Sequence, residues 1–261
     1  MVYIIRTYRW KILVSSLKPV KTIELLPPMM IGLLGNLLPL RLGEVFRAYL
    51  LKKKLNIPFA GSLATIMVER IFDIIMLLSL FSWILVARKH LFPEDAIWFG
   101  VSFETMAFKF GVITCGLLIF LIFLTYFLIH RPEPVTRIIL VFFRIFPQKW
   151  EMRLEHLLTT FTLGLNVVRS WEVLIKTLVL SILEWIFVVL APYPLLLAVG
   201  VQNKSLEALI LLTVIISIAI TALPTPAFLG AVQIGAFLAL HRVMGESELV
   251  ATTYGMIAWA W

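Results

Sequence analysis

Residues 57–86 read IPFAGSLATIMVERIFDIIMLLSLFSWILV, an apolar run with no strict alternation. A bilayer's hydrocarbon layer is about 30 Å thick and a helix rises about 1.5 Å per residue, so roughly 20 mostly apolar residues cross it. A barrel strand would alternate lumen-facing and lipid-facing side chains, and this stretch does not. Ser62 stands near its start and Trp83 near the far interface. The run therefore predicts a membrane-crossing helix, with Glu69, Arg70 and Asp73 inside it. Each charge at the bilayer centre costs about 2.5–3.5 kcal/mol on insertion scales, so these three must face protein or water.

The rest of the chain agrees with a membrane solvent. Of 261 residues, 61% are hydrophobic and 15% charged, against about a quarter charged in soluble domains, and the mean hydropathy is +0.99. Residues 108–129 form the cleanest further span, and 171–200 cross again with Pro192 and Pro194 bending the outer part. The net charge of +8 raises nucleic-acid binding, but the basic residues cluster between apolar segments, as the positive-inside bias requires, and no aromatic-basic recognition motif appears. Nucleic acid is not an expected partner. The single cysteine, Cys115, rules out an intrachain disulfide framework. Residues 12–17 are too short for the core of a cleavable signal.

Two stretches look broken rather than spanning. Residues 23–40 contain Pro27, Pro28, Gly32, Gly35, Asn36 and Pro39, which remove backbone donors or favour turns, so one straight crossing helix is not expected. Basic residues flank it on both sides, from Arg6 to Lys21 and from Arg41 to Lys54. Such flanks favour return to the same face, hence a re-entrant hairpin. Residues 206–223 end in Leu223-Pro224-Thr225-Pro226, and a second glycine-containing helix at 227–243 follows. The expected fold is an all-α, polytopic transmembrane bundle with two re-entrant broken-helix hairpins that admit an inverted repeat. Residues 88–109, with Glu94, Asp95 and Glu104, read as external. Residues 131–169, with basic and apolar residues mixed, read as interfacial helices on the cytoplasmic leaflet or as a partner-docking helix. We expect one membrane domain over residues 1–261, truncated at one or both ends because Trp261 stops inside an apolar run.

The charges fall into a pattern. Spacings of three and four place Asp73 on the same helical side as Arg70 and Glu69, so an intrahelical ion pair is available. On a helix starting near Leu40, the residues Arg41, Glu44 and Arg47 recur every three positions, and Gly43 allows close approach. Two guanidiniums beside one carboxylate leave a net positive site able to hold a phosphate bidentately. Glu184 lies mid-span and is either protonated or paired with a cation such as Arg70 or Arg47. Gln233 can hydrogen-bond at membrane depth. Each has a plainer explanation: an ion-pair brace for the 69–73 cluster, an interfacial basic helix for 41–47, and satisfaction of broken backbone around Pro224 and Pro226 for Gln233. The four histidines are scattered without ligand spacing, so no metal is expected. No Walker loop, dinucleotide fingerprint or serine elbow occurs, and no cofactor is expected.

Residues 35–47, GNLLPLRLGEVFR, followed by Val68-Glu69-Arg70-Ile71-Phe72-Asp73, resemble the lysylphosphatidylglycerol synthase transmembrane-region family of flippase-like proteins. Leu223-Pro224-Thr225-Pro226 with Gly230 is similar to the family's second signature, and Tyr8-Arg9-Trp10 extends the likeness toward the start. The resemblance implies a membrane bundle that moves polar-headed lipids between leaflets, fused in some members to a cytosolic aminoacyl-lipid synthase. The sequence has no such soluble domain, so lysyl transfer is not inferred and an enzyme is not expected. The family's second signature usually has Gly-Gly and a glutamate where this chain has Ala227-Phe228 and Gln233, which puts an ion role at Gln233 in doubt. Family members also carry further helices before Tyr8 and after Trp261.

Together these features predict a multi-pass protein of a bacterial or archaeal cell membrane. Its candidate headgroup residues are Asn36, Arg41, Glu44, Arg47, Glu69, Arg70, Asp73, Glu184 and Gln233, and its expected partners are membrane lipids of phospholipid or polyprenyl-phosphate type. A homo-oligomer or a lipid-biosynthesis enzyme partner is compatible with this. Two rival classes stay open: a structural or regulatory membrane subunit that uses the charges as braces, and a membrane-embedded lipid-modifying enzyme.

Overall fold

The computed structural model describes residues 1–37, 42–87, 159–165, 170–223 and 225–260, with isolated positions at 97–98, 101–102, 112, 116, 119, 123, 126 and 167. The expected span at 108–129, external segment at 88–109 and interfacial helices at 131–169 otherwise lie outside the described residues, as do Pro39, Arg41 and Pro224. The described fold is all-helical apart from one two-residue antiparallel pairing of Ile97–Trp98 with Val101–Ser102.

The helices are α1 (Val2–Val14), α2 (Thr22–Gly35), α3 (Gly43–Leu55), α4 (Phe59–Ala87), α5 (Trp171–Leu190), α6 (Tyr193–Val199), α7 (Leu206–Ala222), α8 (Ala231–Phe237) and α9 (Glu248–Ala260). A 3-10 turn at Pro226–Phe228 precedes α8, and a π turn at Leu238–Val243 follows it. Among the described residues, two stretches are long and apolar enough to cross a membrane by length and composition, Trp171–Val199 and Pro226–Val243; Thr22–Gly35 and Leu206–Ala222 are shorter apolar helices.

The structure corrects the expected break at Pro27-Pro28. Both prolines lie inside α2, although each removes an i→i−4 hydrogen bond at a typical cost of about 3 kcal/mol. Burial of Leu25, Pro28 and Met29, together with packing of α2 against α1 and α3, offsets that loss. The chain leaves helical geometry only after Gly35, and α3 begins at Gly43 rather than near Leu40. The helix expected at 227–243 also starts later, at Ala231, because the 3-10 turn occupies its first positions.

Contacts divide the chain into two units. The first comprises Met1–Gly35, Leu42–Asp73 and Leu117–Leu183. Its core joins Trp10, Val14, Leu25, Met29, Leu51 and Ile66, with a second cluster of Leu13, Ala64, Val68, Leu165 and Val167. The helical residues 159–165 press closely on α4: a Cβ on Gly164 would strike the Gly61 carbonyl oxygen and lie 2.7 Å from the Ala64 Cβ, so only glycine fits this crossing. Asn56 ends α3 in the left-handed conformation (φ 53°), which asparagine tolerates better than most residues.

The second unit comprises Asn36–Arg41, Ile74–Gly116 and Glu184–Trp261. Its core includes Leu196, Leu212, Ala236, Leu240 and Tyr254. The Ser205 hydroxyl caps α7 by accepting from the Ala208 N–H at 3.2 Å, satisfying one of the orphan donors of a helix start. α8 packs against α7 and α9, and α9 against α6.

Candidate functional site

The first unit gathers most of the predicted charged residues around Glu69 on α4. Its carboxylate is fully buried and receives Arg47 at 2.7 Å through Nη2, Arg70 at 2.9 Å and Arg9 at 3.4 Å. Asp73, one turn along, forms ion pairs with Arg9 at 2.8 Å and Arg70 at 3.1 Å. The expected i,i+3 pair between Arg70 and Asp73 is thus present, inside a larger network. Arg70 Nε also lies 3.3 Å from Glu44 Oε1 on α3.

Helical spacing explains the convergence. Glu44 and Arg47 are three residues apart on α3, so both address the charged stretch of α4. Gly32 on α2 makes room for Arg47: a Cβ there would collide with Arg47 Cγ and lie 2.8 Å from its Cδ. The guanidinium of Arg47 then stacks over the Trp10 ring, 4.0 Å from its centroid. Trp10 is itself fixed by donating from Nε1 to Thr65 Oγ1 at 3.3 Å. Stacking and a bidentate approach suit arginine's planar fork and would not suit lysine.

Burial grades across the network. The side chains of Arg9 and Glu69 have no exposure and Arg47 has 5%, whereas Asp73 has 12%, Arg70 36% and Glu44 39%. One end is therefore closed, and the Arg70–Glu44 end is open. The ion pairs set three guanidiniums (Arg9, Arg47, Arg70) against three carboxylates (Glu44, Glu69, Asp73) among the described residues, while Arg41, which the expected net positive site shares with Glu44 and Arg47, lies outside them.

Arg9 is the member that sequence reasoning missed. It was counted in a basic flank, yet it is fully buried and also donates to the Ser181 hydroxyl on α5 at 2.9 Å. Ser181 passes the chain of hydrogen bonds on to the Thr177 carbonyl at 2.8 Å. The signal was available. Ile5, Arg9 and Leu13 follow one another at four-residue spacing on α1, which places Arg9 on the apolar stripe that α1 buries.

The other predicted residues fall elsewhere. Arg41 lies outside the described residues. Glu184 is fully buried on α5, three positions beyond Ser181. Gln233 Oε1 accepts from the Gly230 N–H at 2.8 Å, completing the cap of α8. Asn36 follows the end of α2 and belongs to the second unit. Among the described residues no group of three or more His, Cys, Asp or Glu could hold a metal.

Comparison with known proteins agrees with the sequence features quoted above. A UPF0104 membrane protein of Methanocaldococcus jannaschii is 31% identical over 203 residues, covering 77% of this chain and 75% of that protein. No solved structure matches. The family described as the lysylphosphatidylglycerol synthase TM region matches residues 1–258. The chain, with its buried Glu69 network and its two proline- and glycine-broken segments, belongs to the lysylphosphatidylglycerol synthase transmembrane-region family of membrane proteins.

Proposed function

We propose that the chain is a multi-pass cell-membrane protein that translocates a polar-headed phospholipid or polyprenyl-phosphate lipid between leaflets, without itself catalysing a covalent step. The observation that carries this proposal is the graded burial of the charged network. Arg70 is held by carboxylates on its closed side and by the equally exposed Glu44 on its open side. A headgroup phosphate can replace Glu44 there, because a guanidinium binds carboxylate and phosphate with the same planar geometry. The buried Arg9–Glu69–Arg47 part would keep Arg70 aimed throughout.

Depth supports the same reading. α4 has 29 residues, about 43 Å of helix, and Glu69 and Asp73 lie about 15 and 21 Å from its start. Charges so far from either end of a crossing helix need protein or water around them. Each unit also holds a short apolar helix that leads through a proline-containing segment into a second helix: α2 with α3, and α7 with α8. We read these as two re-entrant hairpins of an inverted repeat, the arrangement in which transporters present half-helix ends to substrate.

A second reading has its own support. Because Arg9, Arg47 and Arg70 each face a carboxylate, the network can serve purely as a brace between α1, α3 and α4. Reconstitution into vesicles with a fluorescent phospholipid, scored by dithionite bleaching of the outer leaflet, separates the two. Under the transport proposal, Arg70→Gln slows translocation about tenfold or more, the equivalent of losing a charge-assisted contact of roughly 1.5–3 kcal/mol, while the protein stays folded. A folded Arg70→Gln variant with unchanged translocation would leave the brace.

A further inference from the structure

The second broken segment has used up its backbone N–H donors. Thr225 N–H goes to the Leu223 carbonyl at 2.7 Å, Ala227 N–H to the Leu37 carbonyl at 3.0 Å, Phe228 N–H to the Thr225 carbonyl and Leu229 N–H to the Pro226 carbonyl, both at 3.1 Å. Gly230 N–H goes to Gln233 Oε1, and Pro226 has no N–H to give. An anion recognised by backbone amides therefore has nothing to bind in this turn.

Oxygen acceptors are left over in the same place. Thr225 Oγ1 and Asn36 Oδ1 are both shielded from solvent and without a hydrogen-bond partner among the described residues. The Leu37–Ala227 hydrogen bond brings their chain segments together, since Asn36 precedes Leu37 and Thr225 lies two residues before Ala227. Both belong to the second unit. Unsatisfied buried oxygens are uncommon and point to an unassigned water or ion.

The backbone here is held against its preference. Ala227 and Phe228 both adopt left-handed conformations, φ 51° and 59°, at about 1–2 kcal/mol each for side-chain-bearing residues. Trp259 Nε1 pins the Ala227 carbonyl from the other side at 2.9 Å. α7 also ends just before this turn, bringing the negative end of its dipole.

We propose that this junction is a monovalent-cation site, with Asn36 Oδ1 and Thr225 Oγ1 as side-chain ligands and sodium as the fitting ion. Neutral oxygens beside a helix C-terminus suit a singly charged hard cation, the arrangement that holds coupling ions in transporters with broken helices. A divalent ion would call for carboxylates, and Thr225 and Asn36 bring none. The site stands on its own, and whether its ion drives lipid movement is a separate question.

The test is thermal unfolding of the detergent-solubilised full chain, read by tryptophan fluorescence, in sodium chloride against choline chloride at equal ionic strength. Sodium at ten times its Kd raises Tm by about 3–6 °C. Thr225→Val, which keeps the shape and removes the hydroxyl oxygen, abolishes the increment, and Thr225→Ser retains it. Equal Tm in the two salts overturns the site. A sodium increment that survives in both Thr225→Val and Asn36→Ala overturns its location, and loss of the oxygens without change in any salt response marks them as hydrated by water only, which overturns it equally. Lipid translocation indifferent to sodium would count against ion-coupled transport and leave the binding result as it is.

Discussion

Replacing Glu69 with glutamine tests what the charged network does for the fold. The carboxylate is fully buried and takes three guanidiniums at 2.7, 2.9 and 3.4 Å. Glutamine keeps the shape and one acceptor but removes the charge that Arg9, Arg47 and Arg70 share. Breaking a buried ion pair from one side costs about 3–5 kcal/mol, because the partner charge stays buried without compensation. At about 2–4 °C per kcal/mol for a chain of this size, Tm should fall by roughly 6–20 °C. The companion variant is Arg47→Met with Glu69→Gln, which removes both charges of the 2.7 Å pair. It should recover at least half of the loss, a coupling energy of about 1.5 kcal/mol or more. Arg47→Met alone strands the negative charge less severely, since Arg9 and Arg70 still reach Glu69. Unfolding of the four proteins in one detergent gives the cycle. If the double variant loses the sum of the two single losses, Arg47 and Glu69 are not coupled and the account of the network's closed end is wrong.

Three further outcomes follow from particular contacts. Arg9→Gln should unfold earlier than Arg70→Gln, because Arg9 is fully buried between Glu69, Asp73 and Ser181 while Arg70 is over one third exposed and partly screened; equal losses would contradict the burial gradient. Gly164→Ala should destabilise by about 1–3 kcal/mol, since the new methyl meets backbone at Gly61 rather than a movable side chain, and an unchanged Tm would show the crossing is looser than described. Ala227→Gly should raise Tm by about 1–3 °C, relief of left-handed strain exceeding the extra chain entropy of glycine; a fall in Tm would mean that the Ala227 methyl contributes more by packing than the strain costs.

Composition and periodicity determined the solvent, the helical class and the position of the expensive charges. Continuous apolar runs exclude barrel strands, and Glu69, Arg70 and Asp73 can be tolerated inside one only if sheltered; both conclusions follow from transfer energies that depend on residue type alone. The spacing of Glu44 and Arg47 likewise showed that they share a side of α3. What tertiary structure decided was who meets whom. Arg9 reads in the sequence as one more positive charge in a basic flank, and only the packing of α1 against its neighbours buries it beside Glu69 and Asp73. The Pro27-Pro28 pair looked like a helix break for a similar reason: local chemistry prices the lost hydrogen bonds, while the compensating burial of Leu25 and Met29 comes from residues on other helices. The donor-depleted turn at residues 225–230 was invisible in the sequence too, since which oxygens remain unpaired depends on Leu37 and Trp259, each far away along the chain.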